Sequence, residues 1–152
     1  MTMSFQANLR DAVAAPAAIL SRIPRDLVQL AMRGGLAGIF WSSARTKVEG
    51  LLTIADNTFF LFEEDYRLPL LDPELAAYLA TYAEHLLPLL LVLGLGTRLA
   101  ALGLFVMTLT IQIFVYPDAF LSTHFGWFAL ALGVMAYGPG RLSIDHVLAR
   151  KA

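Results

Sequence analysis

Four long apolar stretches, separated by polar connections, dominate the pattern of this chain. They cover roughly residues 27–48, 75–95, 99–116 and 119–138. A helix that crosses a bilayer needs about 20 mostly apolar residues, and each stretch is close to that length. None shows the alternating segments of about ten residues that are typical of a membrane β-barrel. The pattern therefore predicts an all-α fold, an integral membrane bundle of four transmembrane helices.

The composition of the chain agrees with a membrane protein. Of its 152 residues, 58% are apolar and 15% are charged, whereas a soluble domain has about 45–50% apolar and about 25% charged residues. The formal net charge of −1 gives no basic surface for nucleic acid. Cysteine is absent, which excludes disulfides, thiolate metal ligands and a thiol nucleophile. The expected partner is therefore a lipid bilayer.

Basic residues are distributed unequally between the two ends of the predicted bundle. One end has Arg45, Lys47 and Arg67. The opposite end has seven: Arg10, Arg22, Arg25, Arg98, Arg141, Arg150 and Lys151. Because an excess of Lys and Arg marks the cytoplasmic side, both termini are predicted to be cytoplasmic.

The helices and their connections suggest three regions. Residues 1–26 form an N-terminal cytoplasmic or interfacial lead, residues 27–138 the four-helix transmembrane domain, and residues 139–152 a cytoplasmic tail. In the loop between helices 1 and 2, an aromatic run adjoins an acidic run within residues 57–67. Such a sequence predicts a short interfacial segment that lies on the outer face and covers the bundle.

Several polar residues fall inside the predicted spans, where an ionisable group costs at least about 2.5–3.5 kcal/mol. Glu84 lies about 13 Å from the outer end of its helix, too deep for a short carboxylate to reach the surface. Pro88 lacks an N–H group, so it leaves the carbonyl of Glu84 without its helical partner. Arg33, near the inner end, is predicted to extend its side chain to the membrane surface. The predicted ligand-binding cluster in the outer half comprises Lys47, Glu84, His85, Gln112, His124, Thr108 and Arg45.

The residue types in this cluster are compatible with several kinds of site. A quinone would need hydrogen-bonding groups for its carbonyls and a carboxylate for protons. A metal site from Glu84, His85 and His124 lacks the usual ligand spacing, and two histidines at different depths argue against haem. The cluster could equally be polar packing, with Gln112 and Thr108 joining the helices, or part of a proton or ion pathway.

Four segments carry a resemblance to a known family. They are the small-residue helix at 33–47, the glutamate-containing helix at 76–84, the turn at 94–98, and the Gly-Pro-Gly-Arg-Leu-Ser-Ile-Asp sequence at 138–145. With them, about residues 28–148 resemble the DoxX-like family of small four-helix bacterial membrane proteins. The resemblance implies a multi-pass protein of the bacterial inner membrane.

The resemblance also implies a role. Members are associated with membrane redox complexes, and Lys47 and Glu84 would be the functional pair. We expect a non-catalytic or accessory subunit of an oxidoreductase complex, with a quinone as its candidate cofactor and a membrane or periplasmic protein as its partner. No catalytic or metal-ligating residue is assigned, and a homo-oligomer stays open. The alternatives are a small proton-coupled transporter or metal-handling accessory protein, and a structural membrane scaffold.

Overall fold

A computed structural model describes residues 12, 14 and 16–151 of the chain. The predicted lead of residues 1–26 therefore lies in part outside the described residues. The described chain is mostly helical, and four helices form its body: α1 (Arg25–Arg45), α3 (Pro73–Leu93), α4 (Thr97–Thr110) and α5 (Phe125–Tyr137).

Shorter elements connect these four helices. A two-stranded antiparallel hairpin of β1 (Val48–Glu49) and β2 (Thr53–Ile54) follows α1. The short helix α2 (Asp56–Phe60) continues into a π-helical turn (Leu61–Tyr66); together they are called the roof segment (residues 56–66). The all-α prediction did not include the hairpin, because strands of two residues leave no alternating pattern.

The connection from α4 to α5 and the end of the chain are also helical. A π-helical turn (Ile111–Val115) extends α4, and a 3₁₀ turn (Pro117–Ala119) and a further π-helical turn (Phe120–His124) precede α5. A short helix, α6 (Ile144–Ala149), follows α5.

The four long helices pack as a ring, in which α1 and α4 each contact both α3 and α5. Small side chains bring the helices together, as expected where lipid gives no hydrophobic driving force for association. The buried core that they share consists of Leu36, Ala37, Phe40, Leu91, Ala100, Ala101, Leu104, Ala131 and Val134.

Within the described part of the chain, three helices are long and apolar enough to cross a membrane. They are Pro73–Leu93, Thr97–Val115 and Pro117–Tyr137. Helix α1 has the same length as α3, 21 residues, but it is not among them. It ends at Arg45, whereas the apolar pattern extended the predicted span to residue 48. Lys47 consequently follows the helix instead of lying on it.

At one end of the bundle, residues 138–145 form a segment called here the C-terminal clasp. It joins the start of α1 to the turn between α3 and α4. Arg33 Nη2 donates to the carbonyl of Leu142 at 2.7 Å, and its side chain is 1% exposed. The prediction that Arg33 reaches the membrane surface was therefore wrong, because the clasp offers its guanidinium a carbonyl inside the protein.

Asp145 fixes the clasp to the first residues of α4. Its two carboxylate oxygens accept from the backbone N–H groups of Gly96, at 2.8 Å, and Thr97, at 2.9 Å. Its own N–H donates to the carbonyl of Gly94 at 2.8 Å. Burial alone would raise the pKa of the Asp145 carboxyl, but these N–H groups and the nearby Arg33 together hold it below its ordinary value. The carboxylate thus caps α4 from a distant part of the sequence.

We expect Asp145→Asn to lower the stability of the protein by about 1 kcal/mol at neutral pH, as loss of a helix cap does. The lowered pKa means that the carboxylate stabilises the fold above its unfolded pKa of about 3.9, and that this contribution disappears as the pH falls through the folded-state pKa. Melting curves in detergent from neutral to acidic pH would measure it. The variant should lose less stability on acidification than the natural protein, and an equal loss in both would contradict the assignment.

Candidate functional site

A cavity of about 390 Å³ lies between the four long helices, beneath the roof segment. Its size is within the range of about 300–1,000 Å³ for small-molecule sites. Most of its wall is apolar, and these side chains come from every surrounding element: Ile39, Phe40, Phe62, Leu68, Leu79, Val106, Met107 and Trp127.

The polar part of the wall is centred on a buried ion pair. Lys47 Nζ lies 2.8 Å from Glu84 Oε2, and the two side chains are only 6% and 4% exposed. Lys47 Nζ also donates to Ser43 Oγ at 2.8 Å. All three residues line the cavity, so a charged pair faces an otherwise apolar space.

The hairpin and the roof segment hold Lys47 in place. Its carbonyl accepts from the Ala55 N–H at 3.1 Å and from Thr58 Oγ1 at 2.9 Å. The backbone of Lys47 is thus fixed just beyond the end of α1, and its side chain turns back along the helix towards Ser43. This local geometry aims the ammonium group into the bundle.

Helix α3 presents Glu84 from the opposite wall. Its N-terminus is well defined, because Asp72 accepts from the Leu75 N–H at 3.1 Å and Pro73 occupies the first turn. Pro88 lies inside the same helix, so the Glu84 carbonyl lacks its usual backbone donor. Alanines at positions 80 and 83 leave room beside the carboxylate.

A histidine of fixed tautomer lines another part of the cavity. The amide nitrogen of Gln112 donates to the Pro117 carbonyl at 2.6 Å, so the amide oxygen must face His124 Nδ1, also at 2.6 Å. Nδ1 therefore carries a proton, which it donates to the amide oxygen. His124 is 2% exposed and packs against Trp127.

The other predicted site residues lie off the cavity wall. Arg45 turns to the surface and donates to the carbonyls of Gly50 and Leu51. His85 Nδ1 donates to the Thr81 carbonyl at 2.7 Å, and its ring packs against Trp41 on another side of α3. Thr108 donates to the carbonyl of Leu104 in its own helix. Gln112 does not line the cavity itself, and it affects the wall only through its hydrogen bond with His124.

Four polar side chains of the wall were not predicted from the sequence: Ser43, Tyr66, Thr110 and Tyr116. The rings of the two tyrosines are 6.2 Å apart. Burial, reinforced by Tyr116 alongside, raises the pKa of the Tyr66 hydroxyl, so this group stays protonated at neutral pH. Tyr66 lies in the predicted interfacial segment, and no signal in the sequence distinguished it from a surface aromatic residue.

Each of the three π-helical turns contributes to the cavity wall. Such turns are rare and occur frequently at functional sites. The residues that they supply are Phe62, Tyr66, Ile111, Val115 and His124. Among the residues that the structure describes, no three His, Asp or Glu side chains lie close enough to hold a metal ion. The arrangement is an apolar cavity with a buried ion pair on its wall.

A comparison with protein families agrees with this architecture. The family model DoxX matches residues 28–117, which is more than half of the chain and extends from α1 to the connection after α4. No curated protein and no solved structure matches the chain. The resemblance seen in the sequence is thus confirmed over the part that forms the ion pair. The chain belongs to the DoxX family, and its apolar helices make it a multi-pass membrane protein.

Proposed function

We propose that this chain is an accessory membrane subunit of a quinone-linked redox assembly, which holds a small ligand in its cavity. The redox role follows from what the DoxX resemblance implies. The ligand-binding role depends on one observation, the Lys47–Glu84 pair on the wall of an apolar cavity of about 390 Å³.

In this proposal α1 also crosses the membrane, which makes four spans in total, and both termini are cytoplasmic. Helix α1 packs between α3 and α5 and matches α3 in length, which supports a spanning role. The C-terminal clasp and Arg98 lie at the end with more basic residues, which favours that end as the cytoplasmic one. The cavity then lies in the outer leaflet of a bacterial inner membrane.

A quinone headgroup fits the chemistry of the cavity wall. It is an apolar ring with two carbonyl acceptors, and the wall offers hydrogen-bond donors in Lys47, Tyr66 and Tyr116. When bound, a quinone would supply reversible two-electron, two-proton exchange. The residues of this chain would hold the headgroup, exclude water beneath the roof segment, and provide in Glu84 a carboxylate that can hold a proton.

The position of the ion pair argues for a binding role as well as a structural one. Burying two charges costs more free energy than burying apolar side chains of the same size, so such a pair is weak support for stability alone. Here the pair borders open space rather than packed side chains. Convergent polar groups in an apolar pocket are the usual arrangement of a ligand site.

The roof segment also offers a surface for a protein partner. Glu63, Glu64 and Asp65 are exposed beside Phe60, which is 64% exposed. An acidic edge next to an apolar side chain suits a partner with a basic docking surface. Since Phe62 and Tyr66 of the same segment line the cavity, such a partner would sit directly above the ligand.

The test is to purify the protein from membranes in mild detergent and to quantify the quinone that it carries. We expect quinone to copurify with the natural protein and to fall by about tenfold or more in Glu84→Gln, which corresponds to about 1.4 kcal/mol of binding free energy. His85→Gln is the matched control, because the neighbouring residue lies at the same depth but off the cavity wall.

Circular dichroism and melting curves show whether each variant is folded. A natural protein that neither carries quinone nor binds a short-chain quinone added to it would refute the proposal. Equal losses in the two variants would also count against a site at Glu84. A Glu84→Leu variant that is fully functional in cells would leave the structural scaffold as the remaining role.

A further inference from the structure

The wall of the cavity is incomplete on one side, between α3 and α4. Leu79 of α3 and Val106 of α4 both line the cavity, yet 54% and 52% of their surfaces are exposed. Ala83 and Thr110 lie beside them on the same two helices and are half-buried. The cavity therefore opens sideways through a gap between the helices, called here the window.

Small side chains on α3 create the window. Three positions of α3 that line the cavity are occupied by alanine: Ala76, Ala80 and Ala83. One turn further, Leu87 ends this series, and its Cδ1 atom lies 2.8 Å from where a Cβ atom on Gly103 would be. The two helices are thus in close contact there, which closes the window at its lower edge.

Aromatic side chains form the upper edge of the window. Tyr66 of the roof segment and Tyr116, which follows the extension of α4, contact each other edge to face. Phe62 of the roof segment, 3% exposed, lies behind them. These aromatic side chains border the cavity on the roof side, where Tyr116 is itself 51% exposed, and the gap between α3 and α4 lies below them.

The surface around the window is apolar. The neighbouring exposed residues on both helices are leucine and isoleucine: Leu75, Leu86, Leu102, Leu109 and Ile113. Both helices are among those long and apolar enough to span a membrane. A gap in the middle of two such helices faces acyl chains rather than water.

We propose that the ligand is an amphipathic lipid whose headgroup lies at the Lys47–Glu84 pair and whose apolar tail leaves the cavity through the window into the bilayer. This inference rests on the proposed function and deepens it, because it names the class of ligand and its orientation. A headgroup at the pair would find charged hydrogen-bonding groups, and a tail in the window would contact only apolar side chains.

The experiment compares two probes in lipid nanodiscs: a benzoquinone with a decyl tail, and the same headgroup without the tail. Affinities are expressed relative to the probe concentration in the membrane, so that partitioning into lipid does not imitate binding. We expect the tailed probe to bind the natural protein at least about tenfold more tightly, which is about 1.4 kcal/mol.

Two tryptophan substitutions on the lipid-facing side of α4 provide the matched comparison. Val106→Trp fills the window, whereas Leu102→Trp lies one turn away, is exposed, and does not line the cavity. We expect Val106→Trp to abolish the advantage of the tailed probe, so that the two probes bind this variant with equal affinity. Leu102→Trp should change neither affinity.

The outcomes separate this inference from the proposed function. If both probes bind the natural protein equally and Glu84→Gln abolishes both, the ligand site stands and the window is refuted. If Leu102→Trp reduces the advantage of the tailed probe as much as Val106→Trp does, the window is also refuted. If neither probe binds the natural protein, the proposed quinone site itself fails.

Discussion

Replacing Glu84 by leucine is expected to lower the free energy of unfolding by about 3–5 kcal/mol, because the change leaves a buried ammonium group without its counter-ion. Lys47 Nζ would keep only Ser43 as a side-chain partner, in a site where its side chain is 6% exposed. Reversible denaturation in detergent micelles measures the loss. A Glu84→Leu variant as stable as the natural protein would contradict the buried pair.

The double variant Lys47→Met with Glu84→Leu separates folding from binding. Replacing both members of a buried ion pair by apolar side chains is often neutral or stabilising, so we expect it to recover most of the stability lost in the single variant. The two substitutions should therefore be strongly non-additive, as expected for residues in direct contact. The folded double variant should bind no quinone, and retention of quinone would refute a binding role for the pair.

The sequence predicted the helices well because an apolar run of bilayer length can form few structures other than a helix. The runs that begin near residues 75, 99 and 119 all become long helices. The first prediction was less accurate at its end. Apolar character continued to residue 48, but the chain leaves the helix after Arg45 and forms a hairpin, in which Ala55 and Thr58 bind the carbonyl of Lys47.

The level of a residue along its helix could be derived from the sequence, but the direction of its side chain around that helix could not. Lys47 and Glu84 were predicted in one cluster, and the structure joins them at 2.8 Å. His85 is adjacent to Glu84 and has the same depth, yet it contacts Trp41 instead of the cavity. Which side of a helix faces a cavity depends on where its neighbours lie, and residue spacing within one helix does not contain that information.

The sequence pattern also did not predict contacts between distant parts of the chain. Asp145 caps a helix that begins at Thr97, and Arg33 binds a carbonyl at Leu142. The roof segment was predicted as an interfacial segment that covers the bundle, but nothing in its sequence indicated that Phe62 and Tyr66 would line a cavity. Such details follow from the packing of all four helices, whereas hydropathy reports only each segment by itself.

The C-terminal clasp gives rise to the second large expected effect, at Gly94. This glycine ends α3 with φ +69°, a left-handed conformation that favours glycine. A Cβ atom there would overlap Arg33 Nη1 and Ser143 Cβ, and would lie 2.8 Å from the backbone Cα of Ser143. Backbone atoms cannot move aside cheaply, so Gly94→Ala must push the clasp away from the turn between α3 and α4.

Gly96→Ala is the matched control for Gly94→Ala, because Gly96 lies in the same turn with φ +56° and has no atom within 4 Å of the added Cβ. In the control, the free energy of unfolding should fall only by the cost of the left-handed conformation, about 1–2 kcal/mol. Gly94→Ala should lower the free energy of unfolding by about a further 1–3 kcal/mol, because the added Cβ atom overpacks the turn. Denaturation in detergent would compare the two, and hydrogen exchange at Asp145 would report release of the clasp. Equal losses of stability, with exchange unchanged, would mean that the clasp does not press on this turn.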